Sequence, residues 1–323
     1  MKAVVFTGAG GNEVVQVQER PDPLLGPSDV LVGVEFAGMN PADVEQREGR
    51  YPAPPGSVPD VPGLEVSGSV VAIGTDVTRW KVDDRVFGLV GGGGLADRVA
   101  VHEGCVAAVP DALDPEHAAA VPEAFITAHD ALRQGGLAAG DTVLVRGATG
   151  AVGSAAVQIA RGMGATAYVP VRTEDAEATM RDLGAIPLPS DGTRDALMEQ
   201  TDGRGVDVVI ELVGGDDVVE DVEMLALRGR IIVVSVAAGA TIEMNLLRLM
   251  VRRATVRGTV LRSRPLEEKT VVVDAFADQV VPMLADGRVH PTIDSVIPAT
   301  EVDRAFDRLT ERGKRGKVLL RFD

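Results

Sequence analysis

Apolar residues in the first third of the chain come in short runs broken by glycine, proline and aspartate. Val30–Phe36, Val66–Ile73, Arg85–Val90 and Arg98–Val101 read as strands, and together they predict a β-rich, barrel-like unit. From about Pro115 the texture changes. Asp141–Arg146, Ala165–Val171, Ala185–Leu188, Val206–Glu211 and Gly229–Val234 read as strands; Glu174–Leu183, Thr193–Thr201 and Asp216–Ala226 read as helices between them. Such alternation predicts a parallel sheet covered on both faces. Arg253–Val260 reads as a β-branched strand at the edge of that sheet. Two further helices, Lys269–Leu284 and Glu301–Arg312, follow in a segment that could rejoin the first unit. Gly91–Gly94 reads as a hairpin turn or exposed loop, and Trp80, in the turn-like Thr78–Asp83, as a plug in a domain core.

The run Asp141–Gly153 carries the strongest chemical signal. It reads as a buried strand that empties through glycines into a helix continuing to Arg161. First-turn amides have no intrahelical partner, and the helix dipole adds roughly half a positive charge there. The run closes on Ala148-Thr149-Gly150-Ala151-Val152-Gly153, followed by the small residues Ala155 and Ala156. Gly150 and Gly153 remove side chains where a pyrophosphate must approach the backbone, with Ala151 and Val152 between them. A tight strand-to-helix turn without a ligand is the bland alternative; the flanking strand and helix favour a dinucleotide site.

Composition narrows the field. The 323 residues predict two domains, and a hydrophobic content of 45% is ample for their cores. No long uncharged apolar run predicts a membrane span. The N-terminal Met1–Phe6 runs straight into strand-like sequence, so no signal peptide is expected. A single cysteine, Cys105, excludes internal disulfides and fits a reducing cytoplasm. A net charge of −16 argues against nucleic acid as a partner. The short basic cluster Arg312, Lys314, Arg315 and Lys317 reads as a solvated helix end.

Several phrases in order resemble the zinc-free, zeta-crystallin-like quinone oxidoreductases of the medium-chain dehydrogenase/reductase superfamily, closest to the branch of the tumour-suppressor-inducible quinone reductase. They are Asn40-Pro41-Ala42-Asp43, Gly49-Arg50-Tyr51, Pro54-Pro55-Gly56, Pro62–Gly68, Pro122–Ala128, Ala148–Gly153, Leu261–Arg264 and Gly316–Leu320. The resemblance covers essentially the whole chain. It implies an α/β protein with a GroES-like β-rich catalytic domain, residues 1–118 and 259–323, interrupted by a Rossmann domain, residues 119–258. It also implies an active site in the cleft between the two and a homodimer built on the edge strand.

The positions matching the catalytic zinc ligands of metal-dependent relatives are Asn40, Leu64 and Glu123. Leucine cannot donate, so no zinc is expected. His102, His117, His129 and His290 show no paired-ligand spacing. The strand Ala165–Val171 ends in Arg172-Thr173 rather than in a carboxylate, so Arg172 can fork onto a ribose 2′-phosphate and Thr173 can add a hydroxyl. The alternative is an exposed loop charge beside a helix cap. NADPH is the expected cofactor, with NADH open, because Ala176 and Asp191 depart from the family's phosphate pattern. Val213, Ser235 and Val236 fall at carboxyl ends of parallel strands, where such sheets bind ligands. The resemblance puts Tyr51 over the nicotinamide, Thr127 on its ribose or carboxamide, and Val260 and Leu261 along the carboxamide. Asn40 either donates to the carbonyl being reduced or caps the next helix through Asp43. The implied substrate is a quinone or another α,β-unsaturated carbonyl. A pathway-specific enoyl reductase and a non-catalytic nucleotide-binding protein of crystallin type are the alternatives.

Overall fold

The computed structural model describes residues 1–322. The described residues form two compact units, one from residues 1–126 with 261–322, the other from 127–260.

The first unit is built on a seven-stranded sheet. In spatial order its strands are Ile293–Pro298, Lys317–Arg321, Asp29–Met39, Glu65–Ile73, Arg85–Leu89 and Val106–Ala108, with Arg98–His102 pairing onto Asp29–Met39. A separate two-stranded sheet joins Lys2–Phe6 to Val15–Glu19. Asp29–Met39 alternates between buried and part-exposed positions for its first half, as a strand with one solvated face does. Register shifts against Glu65–Ile73, between Leu31 and Val32 and between Val34 and Phe36, curl the sheet. The helix Val302–Thr310 lays Val302, Ala305, Phe306 and Leu309 on this core, the spacing of one helical face. Phe306 meets the Phe6 ring at 5.8 Å between centroids. Trp80 packs partly buried against the same core, its indole N–H donating to the Glu103 carbonyl at 2.9 Å.

Gly91–Gly94 is not an exposed loop. Gly92, Gly93 and Gly94 are buried, and the segment is stitched to the 61–63 loop by Gly93 N to Val61 O at 2.7 Å and Leu95 N to Pro62 O at 2.9 Å. A Cβ on Gly94 would lie 3.0 Å from the Gly63 carbonyl carbon. The run of glycines is therefore a backbone-to-backbone contact. The helix expected over 269–284 is broken into Leu266–Gln279 and Val281–Ala285. Pro282 has no N–H to give and interrupts the periodic run.

The second unit is a six-stranded parallel sheet with spatial order Ile186–Pro189, Thr166–Val171, Thr142–Val145, Val206–Glu211, Leu225–Val233 and Thr255–Gly258. Numbered along the chain this is 3-2-1-4-5-6, the doubly wound order that binds dinucleotides at its switch point. Val143, Leu144, Val145, Val209 and Ile210 are fully buried, as expected of central strands covered on both faces. The fifth strand starts four residues earlier than the sequence pattern indicates. Arg228 adopts φ +66° beside Gly229, and the resulting register shift lets an irregular stretch keep pairing with Val206–Glu211. Every residue of the edge strand Thr255–Gly258 is exposed.

Candidate active site

The candidate nucleotide cradle of the second unit is made mostly of backbone. The buried strand Thr142–Val145 turns through Gly147, at φ +68°, into the helix Ala151–Gly162, whose N-cap is Gly150. The first intrahelical bond is Ser154 N to Gly150 O at 2.9 Å, so the N–H groups of Ala151, Val152 and Gly153 precede it. Ala148 is buried beneath the turn. The two glycines differ in role. A Cβ on Gly150 would have only the Gly147 carbonyl oxygen within reach, at 3.4 Å. A Cβ on Gly153 would collide with that same oxygen and with Ala148 Cα at 2.6 Å. Gly150 thus faces open space where a phosphate can approach, whereas Gly153 is required by the turn-to-helix contact itself.

Arg172 is exposed and forms no ion pair among the described residues. Thr173 caps the helix Glu174–Asp182, its Oγ1 accepting from Ala176 N at 3.2 Å. The cap is therefore formed by Thr173 itself, and its hydroxyl hydrogen remains able to donate. Both backbone groups of Val213 are committed: its N–H donates to Glu211 Oε1 at 2.5 Å and its carbonyl accepts from Ala238 N at 2.8 Å. Only its side chain is left for a ligand. Ser235 and the exposed Val236 follow the end of the fifth strand. Thr127 begins the helix Thr127–Gln134, and its Oγ1 is buried without a hydrogen bond. Val260 is exposed. In the first unit Leu261 is buried and its carbonyl accepts from Arg264 N at 3.2 Å.

Sequence reasoning missed the carboxylates that hold this rim. Glu211, fully buried, takes the N–H of Gly214 as well as that of Val213, the former at 2.9 Å. Arg146, at the end of the first strand, donates to Asp221 at 2.9 Å and to Glu220 at 2.6 Å. Burial drives the Asp221 carboxyl well above its ordinary range, with the Arg146 charge opposing.

The first unit carries a different kind of site, a buried cluster of charges. Lys317 Nζ donates to Asn40 Oδ1 at 2.6 Å and also bonds Glu65. Asn40 Nδ2 donates to Glu65 Oε1 at 2.9 Å and more weakly to Gly38 O at 3.4 Å. The Glu123 backbone N–H donates to Glu65 Oε2 at 2.8 Å. Glu65 and Asp43 are fully buried, and Lys317 is 4% exposed. Asp43 accepts the N–H of Asn40 at 2.8 Å and that of Gly63 at 3.0 Å. Burial nevertheless pushes its carboxyl up to about 6. Glu123 lies on a π-turn, Pro122–Ile126, and burial, reinforced by the neighbouring Glu65 charge, pushes its carboxyl up to about 7.

Two sequence readings change here. Lys317 is no solvated helix end but the cation of the cluster, and Lys314 is half-buried, its ammonium on Leu309 O at 3.0 Å. Asn40 has both amide hydrogens and its oxygen engaged within the protein, so it is not free to donate to a substrate carbonyl. Its backbone and Asp43 do form the start of the helix Pro41–Arg47. Tyr51 is half-buried with Arg262 over its ring, 5.0 Å from Cζ to centroid. Its hydroxyl makes no hydrogen bond among the described residues, and burial raises its pKa. Arg262 is itself held by Gln46 Oε1 at 2.5 Å and Gly91 O at 2.9 Å. Glu65 and Lys317 could have been found from one signal: each charge falls at a buried position of an apolar strand.

The donor set does not fit zinc. Leu64 has no lone pair and is 2% exposed, and the Asn40 oxygen already accepts from an ammonium that would repel a metal cation. Among the described residues no group of His, Cys, Asp and Glu has the makings of a metal site. Among the described residues no helix is long and apolar enough to cross a membrane.

Comparison with known proteins identifies the family of the chain. Residues 26–111 match the family described as alcohol dehydrogenase GroES-like domain, and residues 151–278 match zinc-binding dehydrogenase. The chain is 32% identical to a quinone oxidoreductase of Lama guanicoe, over 99% of this chain and 97% of that protein. It is 30% identical to the synaptic vesicle membrane protein VAT-1 homolog of Mus musculus, over 99% of this chain and 83% of that one. Among solved structures, the quinone oxidoreductase of Thermus thermophilus, described with its NADPH complex, superposes with a TM-score of 0.84 at 33% identity and full coverage of both chains. An alcohol dehydrogenase superfamily protein of Novosphingobium aromaticivorans superposes with a TM-score of 0.90 at 30% identity, again with full coverage of both. With its GroES-like and Rossmann parts in place, the chain belongs to the quinone oxidoreductase-like, zeta-crystallin-like family of medium-chain dehydrogenase/reductase oxidoreductases.

Proposed function

We propose that the chain is a metal-free, NADPH-dependent reductase of quinones and related α,β-unsaturated carbonyls. The observation that carries the metal-free part is the Lys317 ammonium seated on the Asn40 side-chain oxygen, at one of the three positions matched to zinc ligands, with the second of them, Leu64, unable to donate. Bound NADPH would supply the hydride. The protein's own groups bind and orient. The amides at the start of Ala151–Gly162 receive the pyrophosphate, with Gly150 leaving room. Arg172 and Thr173 receive the 2′-phosphate, and the unbonded Thr127 Oγ1 receives a polar group of the nicotinamide half. Val213, Ser235, Val236, Val260 and Leu261 line the remainder.

Tyr51 is the group left to donate to the substrate oxygen, because its hydroxyl has no partner among the described residues. Asn40 becomes a positioning residue, fixing Glu65 and Lys317. NADPH oxidation measured against a panel of quinones and enones tests the reading. Turnover that requires added zinc, or none with any acceptor, would sink it. Arg172→Ala should weaken NADPH about ten- to a hundredfold and leave NADH nearly unchanged, since one charge-assisted contact is removed. Equal loss for both cofactors would remove Arg172 from the phosphate site.

We also propose a homodimer. The edge strand Thr255–Gly258 is unpaired on one side, and the neighbouring helix Leu246–Arg252 exposes Leu246, Leu247, Met250 and Val251, each at least 60% exposed. Light scattering should give twice the chain mass at micromolar concentration; the monomer mass would refute it.

A further inference from the structure

The first unit contains a cavity of about 700 Å³, a volume typical of small-molecule sites. Its walls are largely apolar, including Pro54, Pro55, Val58, Val61 and Leu266. Its charges are one-sided. Asp and Glu make up 48 of the 323 residues, yet among the described residues no acidic one lines the cavity, whereas Arg98, Arg262, Arg264 and Lys269 do. In a chain of net charge −16 this is a local reversal of sign.

The cations are not equivalent. Arg262 is spent on Gln46 and Gly91, and Arg98 is held by Asp22. The Lys269 side chain is half-buried and makes no hydrogen bond or ion pair among the described residues. Cys105 also lines the cavity, but burial lifts its thiol to about 11, so it stays neutral and does not offset the ammonium. Burial lowers the Lys269 pKa, the neighbouring Arg262 charge lowers it further, and the attraction of Glu123 is too weak to cancel them. A partly desolvated ammonium without a counter-charge, at the wall of an apolar cavity, is an incomplete ion pair.

We propose that this cavity binds an organic anion with an apolar body, and that Lys269 is the residue that receives its carboxylate, sulfonate or phosphate. The site stands on the first unit alone and does not depend on the proposed reduction. The anion is either an acidic group carried by the substrate or a separate effector.

Calorimetric titration of the cofactor-free protein with decanoate, and with 1-decanol as the uncharged control, tests this. Decanoate should bind, and Lys269→Gln should weaken it about tenfold or more, the loss of one charge-assisted contact. Lys269→Arg should restore binding, and Lys81→Gln, on an exposed turn, should change nothing. Decanol should bind the parent and Lys269→Gln alike. Absence of decanoate binding, decanol binding as tight as decanoate, or equal decanoate affinity in Lys269→Gln would each overturn the proposal. Inhibition kinetics against 9,10-phenanthrenequinone then name the source. Competition with the quinone assigns the anion to the substrate, and inhibition without competition assigns it to an effector. A protein that binds decanoate through Lys269 yet reduces neither quinones nor enones would refute the proposed function and leave this site standing.

Discussion

The cradle of the Rossmann unit and the buried cluster of the β-rich unit are built on opposite plans. The cradle offers amides, small residues and one open glycine; the turn and helix start that supply them are contiguous in the chain, and only the Arg146 contacts to Glu220 and Asp221 reach far along it. The cluster is made of side-chain charges brought from far apart, Asn40 and Glu65 near the start and Lys317 near the end. A backbone-built site survives most side-chain changes but fails when a Cβ is added in the wrong place. A charge-built site tolerates no change that leaves one partner alone in the core.

Lys317→Met should therefore have the largest effect. It leaves Glu65 buried without its cation, at a cost of about 3–5 kcal/mol. Urea denaturation should show it as a shifted midpoint at constant slope. The double variant Glu65→Gln/Lys317→Met should recover much of the loss, because no charge is then left unpaired. A loss below about 1 kcal/mol in Lys317→Met would mean that water reaches the cluster, and the contrast between the two sites would collapse.

Within the cradle, Gly153→Ala and Gly150→Ala should separate. At Gly153 the added methyl meets the backbone of Gly147 and Ala148, which cannot move aside, so a loss of about 2 kcal/mol is expected. At Gly150, φ −77° suits any residue and the space is open, so stability should fall by no more than about 1 kcal/mol while NADPH affinity drops. Melting and cofactor titration on both variants distinguish them. Equal melting temperatures would show that the turn relaxes, and the separate roles given to the two glycines would fall.

Tyr51→Phe sharpens the comparison from the cluster side. Its hydroxyl has no partner among the described residues, so stability should be unchanged. If it donates to a developing oxyanion, turnover should fall about tenfold, some 1–2 kcal/mol, with little change in the Michaelis constant. A drop in melting temperature with unchanged turnover would make it a packing residue.

The same contrast explains what could be read from the chain. Five parallel strands and the glycine turn follow from local pattern, because periodicity and glycine spacing are short-range properties. The edge strand Thr255–Gly258 was legible for the same reason. The break at Pro282 was visible as a proline but overridden by the apolar period around it. The Gly91–Gly94 contact was not legible, since the backbone it touches, Val61–Gly63, lies some thirty positions away. Lys317 was read as surface because it stands in a basic cluster; only its partners, Asn40 and Glu65, place it inside. Asn40 was read as either a donor to the substrate carbonyl or a helix cap, and its free valences could not be counted without the fold.

The smallest effect concerns Glu123, at the border of the cluster. Its folded pKa of about 7 lies above the ordinary 4.5, raised first by burial and then by Glu65. At low pH the carboxyl is protonated in both folded and unfolded chains and costs nothing. As pH rises past 4.5 the unfolded chain releases this proton while the folded chain keeps it, so stability falls until about pH 7 and is level beyond. Glu123 retains part of its surface in water, which screens the penalty to on the order of 1 kcal/mol. Glu123→Gln removes the titration. The stability difference between variant and parent should therefore grow in the variant's favour from pH 5 to pH 8, by about that amount. Asp43, shifted in the same direction to about 6, is present in both proteins and cancels. Urea midpoints at the two pH values check this. A difference that stays constant would show Glu123 ionised normally in the folded chain, and the cluster's excess of negative charge would then have to be balanced by Lys317 and Arg262 alone.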